Sequence, residues 1–76
     1  MKSKSEIHNN LKRHRLLCGG LTQQDLADRA GVTRQTILSI EKGRYNPTIG
    51  LALRLAAIFQ VPVEELFMLS EGKNDG

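Results

Sequence analysis

The sequence contains few cysteines, few aromatic residues and no long apolar run. Among its 76 residues there are one cysteine, one tyrosine, two phenylalanines and no tryptophan. A single cysteine cannot form an intrachain disulfide, and no apolar segment is long enough to span a bilayer. No signal peptide is visible, so we expect a cytoplasmic protein with no membrane partner. With so few aromatic residues, the core must consist of Leu, Ile, Val and Ala, which suits helices.

Signals for metal binding and catalysis are also missing. His8 and His14 are six residues apart and would fall on different faces of a helix, and Cys18 has no second cysteine to join it. There is no Gly-rich phosphate loop and no nucleophile–base pair with a recognisable spacing. We therefore expect no enzyme activity, no metal and no cofactor.

The length and charge of the chain limit the number of domains and the kinds of partner that it can have. A chain of 76 residues forms one small domain with a modest core. Residues 1–48 carry nine Lys/Arg against four Asp/Glu, whereas residues 49–76 carry two against four. A basic region beside a mildly acidic one is expected of a protein that places one side on phosphates, and a solvated scatter of charges is the alternative.

Residues 23–42 have the pattern of two short helices joined by a tight turn. Thr22 is suited to cap the first helix together with Asp25, and Gly31 can adopt the left-handed conformation that ends it. Thr33 is placed to cap the second helix. The apolar sides of the two helices are predicted to be Leu26, Ala27 and Ala30 in the first, and Ile37 and Ile40 in the second.

Three further helices are predicted around this hairpin. The first runs from residue 6 to about residue 18 and ends at two glycines. Its apolar residues are Ile7, Leu11 and Leu17, with His14 and Leu16 between them, and its other side is Lys12, Arg13 and Arg15.

The remaining two helices follow the hairpin. The fourth covers residues 49–59 after a Thr48 cap, and the fifth begins near Pro62. Leu66, Phe67 and Leu69 are expected to anchor the fifth helix. Residues 1–5 are expected to be flexible and residues 70–76 disordered, which leaves residues 6–69 as the folded domain.

The spacing of apolar residues in the hairpin, with Ala27 and Gly31 at fixed places, resembles the helix-turn-helix of DNA-binding repressors. The wider match covers residues 7–69 and carries the motifs NNLKRHR, LTQQDLADRAGVTRQTI, SIEKGRYNPT and FQVPVEELF. On these motifs the chain resembles the phage repressor/Cro-like (XRE) family. One departure is visible, because the Gly19–Gly20 pair is a one-residue insertion relative to the family pattern.

This resemblance implies an all-α fold, a compact five-helix bundle of the lambda repressor-like kind, that binds double-stranded DNA and controls transcription. In its docking mode, the N-terminal part of the second hairpin helix enters the major groove. The residues opposite the buried side, and therefore the base-reading candidates, are Arg34, Gln35, Leu38 and Ser39. Arg34 suits guanine, Gln35 adenine and Leu38 a thymine methyl group. The alternatives are that Arg34 binds a phosphate and that Leu38 is merely exposed.

Contacts to the DNA backbone are expected from residues at the ends of the two hairpin helices. The phosphate-binding candidates are Gln23, Thr33, Lys42, Arg44, Tyr45 and Asn46. Tyr45 packing on the core is the alternative for that residue. The resemblance also implies a structural ion pair between Arg15 and Glu41, which would link the first helix to the third.

The segment after Thr48 contains more apolar residues than its own core needs. Residues expected to face outward, and to form a dimer interface, are Leu53, Ala57, Phe67, Met68 and Leu69. The alternative is that the first helix and the chain's own tail cover them. A symmetric homodimer would read two half-sites of an inverted repeat, about 34 Å apart.

Two functions follow from these expectations. The first is a sequence-specific transcriptional regulator, a repressor of an inverted-repeat operator. The second is a DNA-binding antitoxin or adaptor whose main partner is another protein, either a toxin or a co-regulator. Both would use the same DNA-binding helix.

Overall fold

The computed structural model describes residues 7–69, which form five short helices and one pair of strands. In chain order the elements are β1 (Ile7–Asn9), α1 (Leu11–Leu17), α2 (Gln23–Ala30), α3 (Arg34–Glu41), α4 (Ile49–Phe59), α5 (Val63–Leu66) and β2 (Phe67–Leu69). The five predicted helices are present, whereas the strands are an addition to the all-α expectation. Within residues 7–69, no helix has the length and apolar character needed to cross a membrane. Residues 1–5 and 70–76, predicted to be flexible and disordered, lie outside the described residues.

The helix starts and stops predicted for the hairpin are confirmed. The Thr22 hydroxyl accepts a hydrogen bond from the Asp25 amide at 3.0 Å, and the Asp25 carboxylate accepts one from the Thr22 amide at 3.2 Å. Gly31 ends α2 with φ of 74°, a left-handed conformation that suits glycine. Thr33 and Thr48 cap α3 and α4 through their hydroxyl groups. Local chemistry therefore determines where these helices begin and end.

One apolar core holds the helices together. Its largest fully buried side chains are Leu11, Leu26, Ile37, Ile40, Leu55 and Leu66. The predicted inner sides of α2 and α3 are confirmed, because Ala27 and Ala30 are buried as well. The Arg54 guanidinium of α4 donates to the Ala30 carbonyl at 2.6 Å. This bond ties α4 to the end of α2, beside the hairpin turn.

The two ends of the described chain pair as a short antiparallel sheet. Ile7 lies opposite Leu69, and Asn9 lies opposite Phe67. The expectation that a helix begins near residue 6 is therefore wrong, and Phe67 and Leu69, which were predicted to anchor the fifth helix, belong to β2. Asn9 explains the late start of α1: its side-chain oxygen accepts from the Leu11 amide at 3.2 Å. Its side-chain amide donates to the Ile40 carbonyl at 2.8 Å, which fixes β1 against the end of α3.

The orientation of α1 also differs from the prediction. Arg15 is buried, whereas Leu16 and Leu17 are 55% and 72% exposed. Because α1 begins at Leu11 with that side chain in the core, the residue one turn later, Arg15, also points inward. The predicted placements of Leu17 on the inner side and of Arg15 on the outer side are both wrong.

Candidate nucleic-acid interface

A buried ion pair supports the base of α3. The Arg15 Nε donates to the Glu41 carboxylate at 2.8 Å, and the Arg15 Nη2 donates to its second oxygen at 3.1 Å. The two side chains are only 9% and 5% exposed. The remaining guanidinium nitrogen, Nη1, donates to the Leu21 carbonyl at 2.8 Å. One arginine therefore fixes α1, α3 and the loop that contains Gly19 and Gly20.

The same ion pair holds Gln23, the first residue of α2. The Gln23 side-chain amide donates to the Glu41 carboxylate at 3.1 Å. Glu41 thus accepts from two helices, and the Gln23 side chain lies at the N-terminus of α2, where backbone N–H groups favour anions. Sequence reasoning assigned Gln23 to a phosphate but did not find its bond to Glu41, because the two residues are distant in the chain.

The predicted base-reading residues lie on two successive turns of the outer face of α3. Arg34 and Gln35 are exposed on the first turn. Leu38 and Ser39, one turn further on, are half-buried. All four lie away from the buried Ile37 and Ile40, so the structure places them on one outward-facing side.

The two flanks of α3 differ in chemistry. On one flank, Arg34 borders a depression that also contains Arg15, Leu16 and Gln23. On the other flank lies a depression lined by Thr33, Gln35, Thr36, Ser39 and Tyr45. Thr36 is absent from the predicted set, although a helical wheel puts it between Ile40 and Ser39. This position at the edge of the outward face was the feature of the sequence that could have identified Thr36.

The phosphate-binding candidates after α3 are gathered in one exposed turn. Gly43 reverses the chain with φ of 76°, and the Arg44 amide donates to the Ser39 carbonyl at 2.9 Å. Lys42, Arg44 and Asn46 are exposed there. Tyr45 is 42% exposed and contributes to the depression beside Ser39.

Thr33 has a structural role beside its proposed contact with phosphate. Its hydroxyl accepts from the Thr36 amide at 3.2 Å and lies 3.1 Å from the Thr36 hydroxyl. The Thr33 side chain remains exposed at the start of α3. It therefore caps this helix, and a contact to DNA would be additional.

The residues predicted for a dimer interface do not form a single patch. Leu53 and Ala57 are exposed one turn apart on α4, in line with Ile49, which is 79% exposed. Phe67 lines an adjacent apolar groove of about 240 Å³ together with Ile7, Pro47, Ile49, Ala52 and Val63. Met68 lines a different depression, beside His14 and Leu17, because successive residues of a strand point to opposite faces. Leu69 is exposed at the end of β2. Ile49 was missed because it was counted only as part of an apolar helix.

Comparison with known proteins agrees with this geometry. Residues 11–66 match the helix-turn-helix family. The chain is 48% identical over 65 residues to an HTH-type transcriptional regulator of Methanocaldococcus jannaschii, covering 86% of this chain and 97% of that protein. It is 55% identical over 53 residues to an HTH-type transcriptional regulator of Methanothermobacter thermautotrophicus, covering 68% and 77%. It is also 36% identical over 55 residues to the cryptic phage CTXphi transcriptional repressor RstR of Vibrio cholerae, covering 72% of this chain and 50% of RstR.

Proposed function

The chain belongs to the helix-turn-helix family of transcriptional regulators, and on this premise we propose that it represses transcription by inserting α3 into the major groove of an inverted-repeat operator. The observation that carries the proposal is the outward face of α3. Arg34 and Gln35 project from its first turn, while Ile37 and Ile40 anchor the opposite side in the core. The similarity to the repressor RstR supports repression as the direction of control.

Base recognition is assigned to the outward side chains of α3. Arg34 would donate two hydrogen bonds to a guanine, and Gln35 would pair with an adenine. Leu38 and Ser39 reach bases further along the groove, Leu38 through a thymine methyl group. Arg34 and Gln35 are the most exposed of the four and lie at the helix end that enters the groove first.

Backbone contacts are assigned to two groups that flank α3. Gln23 and Thr33 lie at the N-termini of α2 and α3, where free N–H groups attract a phosphate. Lys42, Arg44, Tyr45 and Asn46 lie in the turn after α3. The bond from Gln23 to Glu41 supports this role, because it orients the side chain before DNA arrives.

A homodimer would bring two copies of α3 to one operator. The exposed row of Ile49, Leu53 and Ala57, next to the groove lined by Phe67, is the surface we assign to the second copy. A contiguous row of exposed apolar side chains is unfavourable in water and typically marks a surface that another protein covers. Met68 and Leu69 would take part only at the edge of this contact.

Selection of bound sequences from a random pool of DNA duplexes tests the proposal directly. We expect one enriched motif with twofold symmetry and half-site centres about one helical turn apart. The matched pair Arg34→Ala and Gln35→Ala should each reduce discrimination at one or two base pairs by roughly 1–3 kcal/mol per lost bidentate contact. Failure to enrich any motif would refute sequence-specific binding.

Measuring DNA affinity at increasing salt concentrations distinguishes base recognition from binding to the DNA backbone. Affinity should fall steeply as salt rises, and Arg44→Ala should weaken operator and unrelated DNA about equally. An Arg44→Ala variant that lost only the operator would contradict its assignment to phosphate.

Sedimentation tests the dimer. The free protein is expected to sediment as a dimer, and Leu53→Glu should produce monomers that bind the operator more weakly. A monomeric parent protein whose DNA affinity was unchanged by Leu53→Glu would exclude the dimer.

A further inference from the structure

The exposed side of α1 carries two leucines that the fold does not require, and one of them, Leu16, also borders the depression beside Arg34. Leu16 and Leu17 are exposed side by side, while the arginine next to them is buried. A helix with an apolar residue to spare normally turns that residue inward. Here the inward position belongs to Arg15, because each of its three guanidinium nitrogens donates a hydrogen bond, to Glu41 or to Leu21. The two leucines are left in water as a result.

A shallow depression of about 530 Å³ joins these leucines to two cations. Its lining includes Leu16, Leu17, Lys12 and Arg13. Glu41 also lines the depression, but its carboxylate is already paired with the Arg15 guanidinium. Within residues 7–69, no carboxylate lies within 4.0 Å of Lys12 or Arg13. The depression therefore combines two leucines with two cations that are unpaired in the described part of the chain, and Asn9 and Asn10 complete its lining; the carboxylates of Glu64 and Glu65 line a neighbouring depression instead.

We propose that this depression on α1 binds an acidic amphipathic segment of a partner protein. The apolar side of such a segment would cover Leu16 and Leu17, and its carboxylates would pair with Lys12 and Arg13. A DNA phosphate would satisfy the two cations but leave both leucines in water. The proposal does not depend on the DNA-binding function and gives a surface to the protein partner considered for this chain.

The chain's own terminal segments are poor occupants by composition. Residues 1–6, MKSKSE, contain two lysines and only one apolar residue, Met1. Residues 70–76, SEGKNDG, contain no apolar residue with a side chain. Neither segment supplies both the apolar side and the net negative charge that the depression requires.

Selection from a displayed library of random peptides tests the proposal with a defined probe. Peptides would be selected on the full chain and counter-selected on the double variant Leu16→Ser, Leu17→Ser. We expect enriched peptides that combine Asp or Glu with large apolar residues. Enrichment of basic peptides, or no enrichment, would overturn the proposal.

Fluorescence anisotropy with one enriched peptide then locates the contact. Leu16→Ser should raise Kd about tenfold or more, as expected for loss of a buried leucine contact, whereas Leu16→Met should retain binding. Arg13→Gln should weaken binding, and the matched control Arg29→Gln, an exposed arginine on α2, should not. Equal effects of Arg13→Gln and Arg29→Gln would show only a general charge attraction and contradict the site.

Folding and self-association are checked on the same variants. Each should melt within a few degrees of the parent, because all the replaced side chains are exposed. If the double leucine variant dissociated a dimer of the parent in sedimentation, the surface would be a contact between copies, and the acidic partner would be excluded.

Discussion

The α2–α3 hairpin and the two-stranded sheet are held together by contacts of very different sequence separation. In the hairpin, Thr22 bonds to Asp25, Thr33 bonds to Thr36, and the Val32 amide bonds to the Ala27 carbonyl. In the sheet, Ile7 pairs with Leu69 at the other end of the described chain. Closing a long loop costs more entropy than closing a short one, so the sheet depends on the rest of the fold.

Local and non-local contacts therefore stabilise different parts of the protein. The proposed reading surface is built from local contacts, and the non-local contacts fix α1 and the chain ends behind it. Arg15 and Glu41 connect the two systems, because Glu41 ends α3 and Arg15 belongs to α1. Perturbing this connection should therefore destabilise the protein most, followed by the hairpin, the sheet and a single cap.

Removing Glu41 should have the largest effect. In Glu41→Ala, Arg15 would keep a buried charge with only the Leu21 carbonyl as partner, which costs roughly 3–5 kcal/mol. Urea unfolding measures the loss. The double variant Arg15→Met, Glu41→Leu is the control, because replacing a buried pair by apolar residues is often neutral or stabilising. Parent-like stability of Glu41→Ala would mean that the buried pair does not connect the two systems.

Ile37→Ala should destabilise the hairpin from within. Ile37 is fully buried, so the truncation opens a cavity and costs roughly 2–5 kcal/mol. This is a large share of the stability of a small domain. Leu38→Ala, at the neighbouring half-buried position, should lower the melting temperature much less. Equal melting of the two variants would refute the inner and outer sides assigned to α3.

Asn9→Ala should affect the sheet more than the hairpin. The change removes the donor to the Ile40 carbonyl and the acceptor for the Leu11 amide, at a cost of roughly 1–3 kcal/mol. Hydrogen exchange should accelerate first in residues 67–69 and at the start of α1. Gln35→Ala, which removes an exposed amide side chain on α3, is the control and should change neither. Uniform acceleration throughout the chain would mean that sheet and hairpin unfold as one unit.

Thr33→Ala should have the smallest effect, about 1 kcal/mol for loss of a helix cap. Thr33→Ser keeps the hydroxyl and should retain stability. Thermal unfolding of the pair separates the cap from any contact to DNA. A Thr33→Ser variant as unstable as Thr33→Ala would show that the methyl group, and not the hydroxyl, stabilises α3.

Sequence reasoning succeeded where the relevant contacts are local. The caps at Thr22, Thr33 and Thr48 and the turn at Gly31 each depend on a few neighbouring residues, and all are observed. The periodicity of Ile37 and Ile40 gave the correct orientation of α3 for the same reason.

The failures fall where a distant partner outweighs the local pattern. Apolar spacing predicts a helix over residues 7–9, but these residues pair with Phe67–Leu69 as a strand. Three-residue strands carry too short a pattern to recognise. Helical periodicity alone put Arg15 on the outer side, whereas the pair with Glu41 that the family resemblance implied is observed and buries it.

The sequence by itself determined the five helices, the capped hairpin and the outward face of α3, because short-range hydrogen bonds and helical periodicity specify them. Only the tertiary structure decided that Arg15 is buried and that Leu16 and Leu17 are exposed. It also decided that Gln23 bonds to Glu41 and that Phe67 and Met68 face different depressions. Each of these depends on which distant groups satisfy a charge or cover an apolar side chain, and that is settled only when the helices pack.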